Sequence, residues 1–159
     1  MKFYISTFYQ IRFFTENMLP VSTAMWDPKW YHNFGHQNVC FYDKRNILCG
    51  CRYEKFNLPA SLWTDLVEQQ EECQRDCPFR EQVPECPFMK KYKQYLDSLD
   101  FEYIINEIEE MSSKVSKIDT IVLLVHESPK CLCAERPVLR QWFQDHGREL
   151  EEWIFIPER

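Results

Sequence analysis

Residues 118–125 read IDTIVLLV, and this stretch decides the fold class. Apart from one Asp and one Thr near its start, the run is continuously apolar, and it ends at the polar residues His126 and Glu127. A strand without polar alternation is buried on both faces, as central strands of parallel sheets are. A helical pattern over 135–146 and a short strand over 152–156 follow. This order predicts a right-handed crossover unit.

Further elements extend this unit into a domain. Two strands are predicted at 2–7, which is aromatic and β-branched, and at 18–24. A helix is predicted over 62–76 with Ser61 as its N-cap, and a longer helical region over 89–114, which an Asp at position 97 or 100 divides. Together they predict a three-layer α/β domain with a mostly parallel sheet and helices on both faces.

The length and composition of the chain indicate one domain and exclude some classes of protein. The 159 residues suit one domain, in which a Cys-rich segment at about 73–87 is an insertion. With only three glycines, the chain has neither the Walker loop nor the dinucleotide fingerprint. The sequence has no run of about 18 apolar residues and no secretory signal at its start, so we expect a cytoplasmic protein without a membrane partner.

The net charge of the chain limits the ways in which it can bind nucleic acid. The formal net charge of −6 excludes a protein whose whole surface binds nucleic acid through counterion release. Residues 1–56 nevertheless carry seven Lys/Arg against four Asp/Glu. A local basic face in this part of the chain and a mixed solvated surface both stay open.

The loop after the central strand combines Glu127, Cys133 and Arg136 directly before a helix. Backbone amides at a helix N-terminus favour anions, and they lower the pKa of a thiol held there. Two interpretations stay open. Either the three side chains converge on a ligand, or Glu127 and Arg136 pair with each other while Cys133 packs.

A family resemblance rests on the same residues. The sequence LLVHE at 123–127, with Cys133, Arg136 and Trp142, resembles the signature of the domain of unknown function 488 family. Similar N-terminal features are YIST at 4–7, VS at 21–22 and the Pro-x-Trp turn at 28–30. The family commonly has consecutive Cys, His and Arg, whereas Ala134 and Glu135 stand between Cys133 and Arg136 here. The resemblance implies an α/β fold and site roles for Glu127, Cys133 and Arg136, without a settled activity.

The predicted ligand site lies at the carboxyl ends of the strands, where α/β proteins bind ligands. Ser6 and Thr7 end the first strand, Arg136 is the expected anion ligand, and Trp26 and Trp30 form an aromatic loop suited to stacking on a planar group. The expected ligand is a nucleotide or a nucleic-acid end. An enzyme that uses Glu127 as a base or Cys133 as a nucleophile is the alternative. A structural or protein-interaction module is a third.

The cysteines of the middle segment suggest a second site. Cys73 and Cys77 are four residues apart and share one face of a helix, and Cys86 returns after a Pro-rich loop. With Cys51 or Cys49 as fourth ligand they would complete a tetrahedral, structural zinc site. An iron–sulfur cluster on the same three cysteines, or packed free thiols, are the alternatives.

Overall fold

The computed structural model describes residues 1–24, 27–29, 31–33, 48–57, 59–62, 86–114, 117–126 and 135–155. The strands in these ranges are β1 Lys2–Thr7, β2 Met18–Ser22, β3 Tyr31–Asn33, β4 Leu48–Arg52, β5 Thr120–Val125 and β6 Glu151–Glu152. The helices are α1 Pro87–Asp97, α2 Phe101–Ser113 and α3 Glu135–Asp145, and 3₁₀-helices span Phe8–Phe13 and Glu54–Phe56.

The strands form one sheet in the order β3-β4-β2-β5-β1-β6, and every strand pair is parallel. The central strand is β5, which is buried along its whole length between β2 and β1. Its register with β1 runs from Lys2 opposite Thr120 to Thr7 opposite Val125. The predicted α/β class and parallel sheet are confirmed, and the continuous apolar run is indeed the centre of the sheet.

Two strands of the sheet depart from the sequence prediction, which had irregular structure over 26–36 and only a weak pattern over 46–53. The structure has β3 and β4 there. At Gly50 of β4, a Cβ atom would lie 2.6 Å from the Pro20 carbonyl oxygen, so a residue without a side chain is required. The Tyr31 hydroxyl of β3 donates to the Cys51 carbonyl oxygen at 2.5 Å. Neighbouring strands, and not local propensity, define these two strands.

The predicted long helical region is two helices, α1 and α2. The Asp100 side chain accepts a hydrogen bond from the backbone N–H of Tyr103 at 3.1 Å, which is the bond an N-cap residue makes. The predicted division at an Asp is therefore confirmed at Asp100. α3 agrees with its predicted range to within one residue, and Gly147 follows it with φ 74°, a left-handed conformation that ends helices.

The sheet has two different faces. On the first, which we call the helical face, α1, α2 and α3 cover a cluster that includes Ile5, Leu123 and Trp142. On the second, the aromatic face, the 3₁₀-helix Phe8–Phe13 covers a smaller cluster that includes Leu124. Alternate residues of β5 thus pack into opposite layers, as the period of a strand requires. The protein is a three-layer α/β domain. The helices α1, α2 and α3 form one outer layer, and within the described ranges the 3₁₀-helix Phe8–Phe13 forms the other.

Other predicted segments are shorter or only partly described. The last strand, predicted over 152–156, is the two-residue β6, paired with Tyr4 and Ile5. The helix predicted over 62–76 has helical residues at 60–62, and its remainder and nearly all of the 73–87 insertion lie outside the described residues. No helix in the described part of the chain is long and apolar enough to cross a membrane.

Candidate functional site

The outgoing connections of the neighbouring strands β1 and β5 run in opposite directions along the sheet. The chain leaves β1 across the aromatic face toward β2, and it leaves β5 across the helical face toward β6. In open parallel sheets, ligands bind outside the carboxyl ends of two such strands, where the connections diverge. We call the carboxyl ends of β1 and β5 the switch-point edge.

Two residues predicted for the ligand site, Ser6 and Thr7, lie at this edge. Ser6 is buried, and its hydroxyl donates to the Trp153 carbonyl oxygen at 2.7 Å, so it holds the segment that leaves β6. Thr7 is half-buried and precedes the 3₁₀-helix Phe8–Phe13 without a side-chain capping bond. The hydroxyl of Thr7 is therefore the more accessible of the two.

His126 belongs to the same edge, although the sequence prediction did not include it in the site. It follows β5 directly and is exposed, and its ring lies 4.8 Å from the ring of Phe8, the residue that follows β1. The first residues beyond the two strands therefore meet across the switch point. A polar residue directly after a fully apolar strand was the available signal in the sequence.

Arg136 lies in the first turn of α3 and is only 2% exposed. Its Nε atom is 3.2 Å from Oε1 of Glu152 in β6, which ties α3 to the edge strand. The sequence interpretations were an anion ligand or a pair with Glu127. The structure shows Glu152 as a partner, because β6 brings it next to α3, whereas Glu127 lies outside the described residues. Arg136 is thus part of a buried ion pair at the same end of the sheet as Ser6.

A second polar cluster joins the carboxyl ends of β2 and β4. Asp27 Oδ1 accepts a hydrogen bond from Arg52 Nη1 at 2.9 Å and another from the Ser22 hydroxyl. With its amide oriented to suit its neighbours, Asn57 accepts from Arg52 Nη2 at 3.1 Å and donates to the Ala24 carbonyl oxygen at 2.9 Å. Charge-assisted bonds of this kind hold Asp27, which adjoins Trp26, at a fixed place beside β2.

Several predicted site residues lie outside the described residues: Glu127, Cys133, Trp26, Trp30, Cys73 and Cys77. Two of the proposed zinc ligands are described. Cys51 in β4 and Cys86 before α1 are both buried in the helical-face cluster, and neither is in a disulfide. Burial raises the pKa of Cys51 to about 12. Within the described ranges, no group of three or more His, Cys, Asp or Glu side chains is placed to hold a metal ion.

Comparison of the chain with protein-family models, with curated proteins and with solved structures finds no match. The resemblance to the domain of unknown function 488 family stays a prediction from the quoted residues. The function is therefore inferred from the geometry at the ends of the strands.

Proposed function

We propose that the protein binds a nucleotide-like ligand, either a nucleotide or a nucleic-acid end, at the switch-point edge. The observation that carries this proposal is the divergence of the connections that leave β1 and β5. Nothing at this edge depends on a glycine-rich phosphate loop, which the chain lacks.

The side chains at the edge suit polar recognition of such a ligand. The Thr7 hydroxyl and the exposed His126 imidazole can both hydrogen-bond phosphate or sugar oxygens. Phe8 is buried beneath His126 and orients its ring, so Phe8 does not itself stack on a base. Stacking is assigned to Trp26 and Trp30, which flank the anchored Asp27 in the sequence.

Arg136 has an indirect role in this proposal. Because its guanidinium is buried and shares its charge with Glu152, we assign it to positioning the start of α3 beside the edge. The amides at that helix start, rather than the guanidinium itself, would then favour the anionic group of the ligand. This revises the sequence prediction, in which Arg136 contacts the anion directly.

The test is titration of the purified protein with AMP, ribose 5-phosphate, adenosine and a short single-stranded oligonucleotide, followed by calorimetry. We expect Thr7→Val and His126→Leu each to weaken binding of AMP about tenfold, since each removes a hydrogen bond to a charged group. His146→Leu, at the far end of α3, is the matched control and should bind AMP as the parent does. AMP affinity that is unchanged in both edge variants would refute the site.

The same incubations test the enzymatic alternative. Chromatography of the nucleotides after incubation detects turnover, and loss of product formation in Glu127→Gln or Cys133→Ser would assign catalysis to that residue. Binding without product supports the binding function. We also propose that this activity is cytoplasmic.

A structural zinc ion held by Cys73, Cys77, Cys86 and Cys51 remains part of the proposal. The common location of Cys51 and Cys86 in the helical-face cluster supports it. Elemental analysis of protein purified without chelators should give close to one zinc per chain, and Cys77→Ser should lower both the zinc content and the melting temperature. Metal-free parent protein would leave the cysteines as packed free thiols.

A further inference from the structure

A cavity of about 560 Å³ opens at the amino ends of β1, β2 and β5, which is the edge opposite the switch point. Its lining includes Lys2, Tyr4, Asn17, Asp119 and Trp153. Trp153 also reaches the switch-point edge, where its carbonyl oxygen accepts from Ser6, but the charged residues Lys2 and Asp119 lie only at the opposite end of the strands.

The Asp119 carboxylate is fixed at the wall of this cavity. Its Oδ1 atom accepts hydrogen bonds from the Thr120 hydroxyl and from Asn17 Nδ2, both at 2.7 Å. These two bonds, with a smaller contribution from the charge of Lys2, lower the pKa of Asp119 below its ordinary value. The exposed carboxylate is therefore charged at neutral pH, with one oxygen already oriented by the protein.

Lys2 brings the opposite charge to the same cavity. It is exposed, and it is close enough to Asp119 to affect the pKa of that carboxyl. Among the described residues, however, no ion pair within 4.0 Å joins Lys2 to Asp119 or to another carboxylate. Two opposite charges that face one cavity without pairing suit a ligand that carries both charges itself.

The cavity also has an aromatic wall. Tyr4 and Trp153 are half-buried, and the Trp153 ring packs edge to face against Phe14 at 4.9 Å between ring centroids. The backbone N–H of Trp153 donates to the Ile5 carbonyl oxygen at 2.9 Å, which fixes this residue against the sheet. An apolar side chain of a ligand would find a preformed surface there.

We propose that this cavity binds a small zwitterion with an apolar or aromatic side chain, namely an α-amino acid. The ammonium group of the ligand pairs with Asp119 and its carboxylate pairs with Lys2. Its side chain packs against Tyr4 and Trp153. The proposal does not depend on nucleotide binding, because Lys2 and Asp119, which pair with the two charges of the ligand, lie at the other end of the strands.

The test compares L-phenylalanine with two analogues that each lack one charge, 2-phenylethylamine and 3-phenylpropionate. Each is titrated to millimolar concentration and followed by the amide NMR shifts of the full chain. We expect phenylalanine to bind up to about fivefold more tightly than either analogue, because about fivefold is the upper limit for one exposed ion pair. The shifts should map to the amino ends of β1 and β5, and added salt should weaken binding.

Two variants assign the charges. Asp119→Asn should weaken binding of phenylalanine and remove its advantage over 3-phenylpropionate, whereas Lys2→Gln should remove its advantage over 2-phenylethylamine. Glu102→Gln and Lys114→Gln, exposed changes on and just after α2, are the matched controls and should leave all three affinities unchanged. Because Asp119 also bonds Asn17, the Lys2 variant keeps the test valid if Asp119→Asn disturbs the fold.

The proposal is overturned if phenylalanine causes no shifts at millimolar concentration. It is also overturned if the three compounds bind equally, or if Lys2→Gln binds all of them as the parent does. Shifts confined to the switch-point edge would equally overturn it. Failure of AMP binding has no bearing on these outcomes, so the two proposed functions fail independently.

Discussion

The helical face and the aromatic face of the sheet are covered in different ways. In the described part of the chain, α1, α2 and α3 cover the helical face over a cluster of buried side chains that includes Trp142. The aromatic face has a 3₁₀-helix and large rings at its surface, with Tyr9 56% and Phe155 42% exposed. Since apolar burial is the dominant favourable contribution to folding, most of the stability belongs to the helical face.

The largest expected effect tests this difference directly by comparing two tryptophans. Trp142→Ala on the helical face should lower the free energy of unfolding by about 3–5 kcal/mol, because a fully buried ring is replaced by a cavity. Trp153→Ala, which removes a half-buried ring on the aromatic face, should cost clearly less. Urea unfolding monitored by circular dichroism measures both. Equal losses would contradict the proposed division of stability between the faces.

The next effect concerns Arg136, the buried charge of the helical side. Glu152→Ala should lower the free energy of unfolding by about 3 kcal/mol, because it removes the carboxylate that lies 3.2 Å from the buried guanidinium. Arg136→Met should cost less, since the carboxylate of Glu152, 20% exposed, can then be hydrated. Unfolding of the two single variants and the double variant checks this order. The reverse order would mean that Arg136 contributes mainly through its packing.

A smaller loss is expected at the strand contact on the aromatic face. Gly50→Ala should destabilise the protein by about 1–3 kcal/mol, as overpacking of a close contact does. The new Cβ would lie 2.6 Å from the Pro20 carbonyl oxygen and would also meet the Tyr31 hydroxyl. In a Tyr31→Phe background the same substitution should cost less, because one of the opposing atoms is gone. Equal costs in both backgrounds would place the clash entirely on Pro20.

The smallest effect concerns an exposed bridge on the helical side. Lys93 Nζ of α1 lies 2.6 Å from Asp145 Oδ2 of α3. This bond lowers the pKa of Asp145, so its contribution is present above the ordinary carboxyl pKa and is lost as the pH falls through the lowered value. Lys93→Gln should cost about 0.2–1 kcal/mol at neutral pH and nothing in strong acid.

The control for the bridge is Lys114→Gln, an exposed lysine just after α2, which should show no such pH dependence. The pKa of Lys93 is raised, first by its bond to Asp145, so the stabilisation from Lys93 is complete below its ordinary pKa and is lost as the pH rises through the raised value. Thermal unfolding from acid to alkaline pH measures both limits. An unchanged difference between parent and Lys93→Gln at low pH would exclude the bridge as its source.

The sequence predicts the elements whose patterns are local. The apolar run of β5, the aromatic β1 and the Asp100 cap each have a sufficient local signal. It does not predict β4, because the presence of Gly50 there depends on Pro20, 30 positions earlier. The sequence around Gly50 has only a weak pattern, which does not indicate a strand by itself.

The candidate site is predictable to a similar degree. The strand ends at Ser6 and Thr7 follow from the pattern, because a parallel sheet brings such ends to one edge. The pairing of Arg136 with Glu152 does not follow from the pattern, because Glu152 reaches Arg136 only when β6 pairs in register beside Ile5. The sequence also does not predict the cavity at the amino ends of β1, β2 and β5, because Lys2, Asp119 and Trp153 are far apart in the sequence.

The position of β1 in the sheet has a consequence for how the chain is made. β1 pairs with β5 and β6. Lys2 therefore pairs only after Thr120 has been made, and Tyr4 completes its pairing only after Glu151 has been made. During synthesis the first strand therefore has two open edges until β5 has left the ribosome, and one open edge until β6 has. Such long-range parallel pairing is slow, and unpaired strand edges recruit other chains. Chains truncated before β5 should accordingly be aggregation-prone and dependent on chaperones, whatever the stability of the finished domain.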